Sequence, residues 1–195
     1  MKYRASKREK LMPVTLLLGV LLLDQLTKIL IVHLIPYTRP PQVAFTMLND
    51  FFRIIHTRNM GAAFSMGRGL PDFWRSLMFI LLPVAVLVWV CIYYWRTQEL
   101  SKAQMWSLAA VVGGGAGNLV DRMFRSLGVV DFLDVKIFGL FGMERWPTFN
   151  VADSAVVVGG ILFVLLIVFQ DIRKGGKQLE KAGAGSMDGD EESRA

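Results

Sequence analysis

Four long apolar stretches, nearly free of charge, dominate what this chain can fold into. They run over about 11–32, 73–95, 103–122 and 151–169, and charged residues crowd into the gaps between them. A helix needs about 20 residues at 1.5 Å rise each to span a bilayer, with about 17 as the lower limit. All four stretches reach or approach that length. Buried helices of a soluble domain need polar faces, which these mostly lack. Hydrophobic residues make up 53% of the chain and charged residues 19%, against about 25% charge in a soluble domain. A backbone in lipid must satisfy its own hydrogen bonds, and long unbroken apolar runs do so as helices. The expected fold is an all-α polytopic membrane protein with four transmembrane helices.

The flanks predict an orientation. Lys2, Arg4, Lys7, Arg8 and Lys10 precede the first stretch, Arg96 and Lys102 lie between the second and third, and Arg173, Lys174 and Lys177 follow the fourth. Basic flanks favour the cytoplasm, so both termini are expected there, with outer loops at about 33–72 and 123–150. The first stretch lacks a small-residue cleavage site and reads as an uncleaved anchor. Forty residues are too many for a bare link. VAFTMLN, FFRIIHT and AAFSM in the first loop, and VVDFLDVKIF in the second, are rich in β-branched and aromatic residues. They predict a small β-rich extracytoplasmic platform on the membrane surface. Residues 1–170 are expected to form one membrane domain. Residues 171–195, Gly-rich and acidic, read as a disordered cytoplasmic tail.

One Cys and two His exclude a disulfide framework and a multi-cysteine metal site, and no metal or cofactor is expected. Nucleic-acid binding has only the net charge of +6 in its favour. Attention falls on polar residues at membrane depth, which are costly unless paired and functional by default. Asp24 and Lys28, one turn apart, are placed to pair, either as a structural network or as part of an active site. Asn118 and Asp121 share a helix face, as do Asn150 and Asp153. If the third stretch runs outward and the fourth inward, both acids lie at one depth across a glycine-lined seam. Two carboxylates brought together tend to share one proton, which suits attack of water on an amide. Helix capping is the alternative role, a better match to Asp153 than to Asp121. Asp131 and Asp134 fall on opposite faces of a strand, and Asp131 is expected to pair with Arg122 or Arg125. His56 is expected at a surface or interface. A small proton-coupled transporter using intramembrane acids is the main alternative.

DQLTK, NMGAAFS, GNLVDR, VVDFLDV and PTFNVADSAVVVG, in this order on this frame, resemble the lipoprotein signal peptidase (signal peptidase II) family over about 11–169. The resemblance implies an intramembrane aspartic endopeptidase of the bacterial inner membrane. Its substrates are diacylglyceryl-modified prolipoproteins, cut immediately before the lipidated cysteine, near the outer face and without a covalent intermediate. It implies a catalytic pair at Asp121 and Asp153. The supporting set is expected to comprise Asp24, Lys28, Asn59, Gly61, Asn118, Arg122, Asn150 and Ala152. A platform of short strands with a small helix, globomycin-type cyclic-peptide inhibitors and a monomeric state are also expected. The GLFGMERW stretch makes the second loop slightly longer than in compact members.

Overall fold

The computed structural model describes residues 5–61 and 71–192; the AAFSM run expected as a strand lies outside them. Ser6 opens the first helix, α1 (Lys7–Leu11), with a reciprocal cap: its hydroxyl accepts from the Glu9 amide while the Glu9 carboxylate accepts from the Ser6 amide. Pro13 is tolerated at the first position of α2 (Pro13–Leu34) because that N–H would be unpaired anyway. Together α1 and α2 make one membrane-length helix. A short helix, α3 (Asp72–Ser76), leads into a π turn at Leu77–Leu81 and then α4 (Leu82–Arg96). Pro83 has no N–H to donate to the preceding turn, and the helix widens just before it. α5 (Lys102–Phe124) starts at a Ser101–Gln104 capping box, and α6 (Val151–Glu192) carries helical backbone through the segment whose composition predicts disorder.

Three strands, β1 (Val43–Met47), β2 (Phe52–Asn59) and β3 (Val129–Val135), pair antiparallel in that order as an open sheet. Leu133 bridges Phe149 on the other side of β3, so the chain runs from the sheet straight into α6. Ile31, Ile35, Val130 and Phe132 form a core between the end of α2 and the sheet. A second core, with Val90, Tyr94, Leu100, Met105 and Leu108, closes the opposite end of the bundle.

The expected count of four membrane-length apolar helices is corrected to three. Among the described residues these are Lys7–Leu34, Leu77–Arg96 and Val151–Arg173. α5 is long enough, but it buries Gln104, Ser107, Asn118 and Asp121 and carries four glycines at its centre, which lower its hydropathy. It is the central helix, packed against α2, α4 and α6, so its polar groups face protein. A Cβ on Gly114 would collide with the Ala152 carbonyl, and one on Gly117 would lie 2.5 Å from the Asp24 carboxylate. Small residues on α5 therefore let α2 and α6 close on it.

Candidate active site

Lys28 is the hub of a fully buried cluster. Its ammonium meets Asp24 Oδ2 at 2.9 Å, Asp121 Oδ2 at 3.2 Å and Asn118 Oδ1 at 2.9 Å, which uses all three of its hydrogens. The other Asp24 oxygen accepts from the Ala152 amide at 3.0 Å, tying α2 to the first turn of α6. Asp121, 0% exposed, is saturated. Besides Lys28 it accepts from the Val130 amide at 3.0 Å, Gln25 Nε2 at 3.1 Å and Arg125 Nε at 3.1 Å. A carboxylate offers about four acceptor positions, so Asp121 keeps none for a water molecule. A proton-coupled transporter needs an acid free to exchange; Asp24 and Asp121 are both held by Lys28.

Asp153 and Asp131 stand differently. Asn150 and Asp153 cap α6 reciprocally: the Asp153 amide donates to Asn150 Oδ1 at 2.9 Å, and the Asn150 amide to Asp153 Oδ2 at 3.1 Å. The capping role weighed from sequence is thus present. The Asp153 carboxylate also accepts from Asn118 Nδ2 at 2.6 Å and remains half-buried. Across from it, Asp131 enters from β3, its Oδ1 accepting from Asn150 Nδ2 at 2.7 Å and its carboxylate hydrogen-bonded by Asn59. Burial, then the neighbouring charge of Asp153, push the Asp131 carboxyl up to about 7. Asn150 therefore touches both acids, and Asn118 links Asp153 to Lys28.

Arg122 lies within electrostatic reach of Asp153, Asp131 and Asp121. Its Nε is buried with no hydrogen-bond partner among the described residues. It lines a cavity of about 380 Å³ with Met60, Phe79, Ile80 and Arg125, and so stands between that cavity and the acids. Gly61 is buried and donates its amide to Asn59 Oδ1 at 3.1 Å. All the expected supporting residues thus gather around one point. The pairing expected at Asp131 is corrected: its short contacts are Asn150 and Asn59, while Arg125 takes Asp121. Asp134 faces the far side of the strand and binds Arg145 at 2.7 Å. His56, expected at a surface or interface, is buried where β2 meets the end of α2, its Nδ1 donating to the Ile35 carbonyl at 2.7 Å. The signal that could have singled out Asp131 is the strand alternation itself, which obliges one of the two acids of VVDFLDV to face inward.

The family model described as signal peptidase (SPase) II matches residues 16–169. The lipoprotein signal peptidase of Treponema denticola is 41% identical over 169 residues, covering 87% of this chain and 95% of that protein. That of Treponema pallidum is 38% identical over 171 residues, covering 88% and 90%. The backbone is similar to a bacterial membrane enzyme solved by the in meso method at 2.3 Å resolution, with a TM-score of 0.70 and 24% identity over 89% of this chain and 96% of the other. The chain belongs to the signal peptidase II family of aspartic-type peptidases.

Proposed function

We propose that Asp131 and Asp153 form the water-activating pair of a prolipoprotein peptidase, with Asp121 as the buried counter-ion that fixes Lys28. The single observation that carries this reading is that Asn150 bonds both Asp131 and Asp153, while Asp121 has every acceptor position filled; burial and the neighbouring Asp153 charge raise the Asp131 carboxyl in keeping with it. Two acids in unlike environments divide the labour. Ionised Asp153 takes a proton from water as its oxygen attacks the scissile carbonyl carbon, and protonated Asp131 donates to the carbonyl oxygen. Asp153 then passes its proton to the leaving nitrogen as the C–N bond breaks, and Asp131 recovers its own from the collapsing diol. Asn118 and Asn150 orient the pair, and Arg122 offsets the charge of the acids.

The substrate is a prolipoprotein bearing a diacylglyceryl cysteine, cut immediately before that residue, with the acyl chains remaining in the bilayer. Globomycin-type cyclic peptides are expected to occupy the cavity beside Arg122. The catalytic unit is residues 1–170, acting as a monomer, since both acids and their orienting residues come from one chain. It lies in the bacterial inner membrane with both termini cytoplasmic and the site toward the outer face. That orientation is supported by the bundle end opposite the acids, where Lys7, Arg8, Lys10, Arg96 and Lys102 collect.

The test is cleavage of a diacylglyceryl-modified prolipoprotein by purified protein, with the new N-terminus read by mass spectrometry. Asp131→Asn and Asp153→Asn should each lose roughly 100-fold or more of the rate while staying folded. Asp121→Asn should lose stability first, roughly 3 kcal/mol, with cleavage per folded molecule far less affected. Near-normal turnover by Asp131→Asn would overturn the pair.

A further inference from the structure

The second loop carries a feature that the chemistry does not use. Beyond β3, Val135 and Trp146 continue the ladder as a hairpin: Trp146 donates to the Val135 carbonyl at 2.8 Å, and Ile137 to that of Glu144 at 2.9 Å. At its tip Phe138, Leu140 and Phe141 are 71%, 57% and 76% exposed, and residues 137–143 carry no charge. Phe138 and Phe141 adopt φ of 53° and 56°, a conformation that bulky residues rarely take and that displays them outward. Phe138 stacks on Phe51 of the adjoining β1–β2 turn at 6.3 Å, where Leu48 is also exposed.

We propose that this tip is a wedge that enters the lipid interface and seats the sheet on the membrane. Three observations favour lipid over a protein partner. The tip folds back on itself, with Leu140 donating to Ile137, Gly142 to Gly139 and Met143 to Leu140 at 3.0–3.2 Å, which lowers the number of backbone groups an apolar medium would leave unpaired. The collar beneath it is charge-paired, Lys136 with Glu144, Arg145 with Asp134, and Arg53 with Asp50, so no bare charge has to be desolvated. Phe141 stands ten residues before Val151, where a membrane-length helix begins; that is at most about 35 Å of extended chain, and Trp146 between them suits the interfacial belt.

The full chain with Cys91→Ala and Phe141→Cys, labelled with a polarity-sensitive fluorophore, tests this in nanodiscs of phosphatidylethanolamine and phosphatidylglycerol. Gln98→Cys, at the opposite end of the bundle, is the aqueous control. Emission at 141 should shift to the blue and be quenched by acyl-chain nitroxide lipids roughly threefold or more above the control. It should stay so in phosphatidylcholine alone, because the collar is neutral. Quenching of 141 by aqueous iodide as strong as at 98 would overturn the proposal. So would loss of the blue shift without phosphatidylglycerol, or self-quenching that marks contact between two copies. The readout needs no catalysis, so its failure is separate from failure of the peptidase pair.

Discussion

At the scale of single residues, the site turns on which of its acids can change protonation. Asp131 is raised from an ordinary carboxylate value of 3.8 to about 7 by burial and by Asp153. A donor with that value holds its proton below pH 7 and loses it above, so the cleavage rate should fall as pH rises past about 7. Stability should move the same way. The folded state binds this proton more tightly than the unfolded chain, so the contribution is complete below about pH 4 and is lost as pH climbs to 7. Asp131→Asn removes the titrating group; its melting temperature should therefore gain on that of the parent protein between pH 5 and pH 8, measured by thermal unfolding in detergent. An equal offset at both pH values would sever the link between Asp131 and the pH dependence. The residues around this point were legible in the sequence, as polar groups stranded in apolar runs. The pairing we propose, Asp131 with Asp153, was not: helix spacing and the family resemblance both pointed to Asp121, and neither reveals that Lys28, Gln25, Arg125 and the Val130 amide fill its acceptor positions.

At the scale of elements, small residues decide whether the helices can approach closely enough to assemble the cluster. Gly114 has the Ala152 carbonyl where a side chain would begin, and Ala152 is the residue whose amide binds Asp24. Gly114→Ala must push α6 away from α5, lengthening the Asn118–Asp153 contact as well. It should cost roughly 2 kcal/mol by overpacking and lower activity at temperatures where the protein remains folded. Gly160→Ala meets open space and should do neither, and unfolding and cleavage measured on both variants separate the two outcomes. Periodicity and apolar length identified α2, α4 and α6, and β-branched runs identified β1, β2 and β3. The same rules overcounted membrane helices, because apolar length does not distinguish a helix that faces lipid from one enclosed by three others. Nor did they reveal the Leu133–Phe149 bridge, a non-local pairing that carries Asn150 to Asp131.

Across the whole molecule, the two ends of the bundle are built for different surroundings. At one end Lys10 donates to the carbonyls of Tyr94, Trp95 and Thr97 at 3.2, 2.8 and 2.8 Å, and Lys102 reaches Glu9 at 3.0 Å. The Lys10 Nζ closes the last turn of α4, where unpaired carbonyls favour a cation, and the surrounding basic residues favour retention in the cytoplasm. At the other end lie the acids, the cavity and the sheet. The orientation can be read in cells with a thiol reagent that does not cross membranes, again in the Cys91→Ala background. Gln42→Cys, exposed just before β1, should react in intact spheroplasts, and Gln98→Cys, exposed just after α4, only once the membrane is opened. The reverse pattern would put the acids in the cytoplasm, where a lipoprotein precursor could not present its lipidated cysteine from the outer leaflet. Labelling of both positions in intact spheroplasts would break the link between the basic end and the cytoplasm. The catalytic pair would then have to be tested against a substrate arriving from the other side.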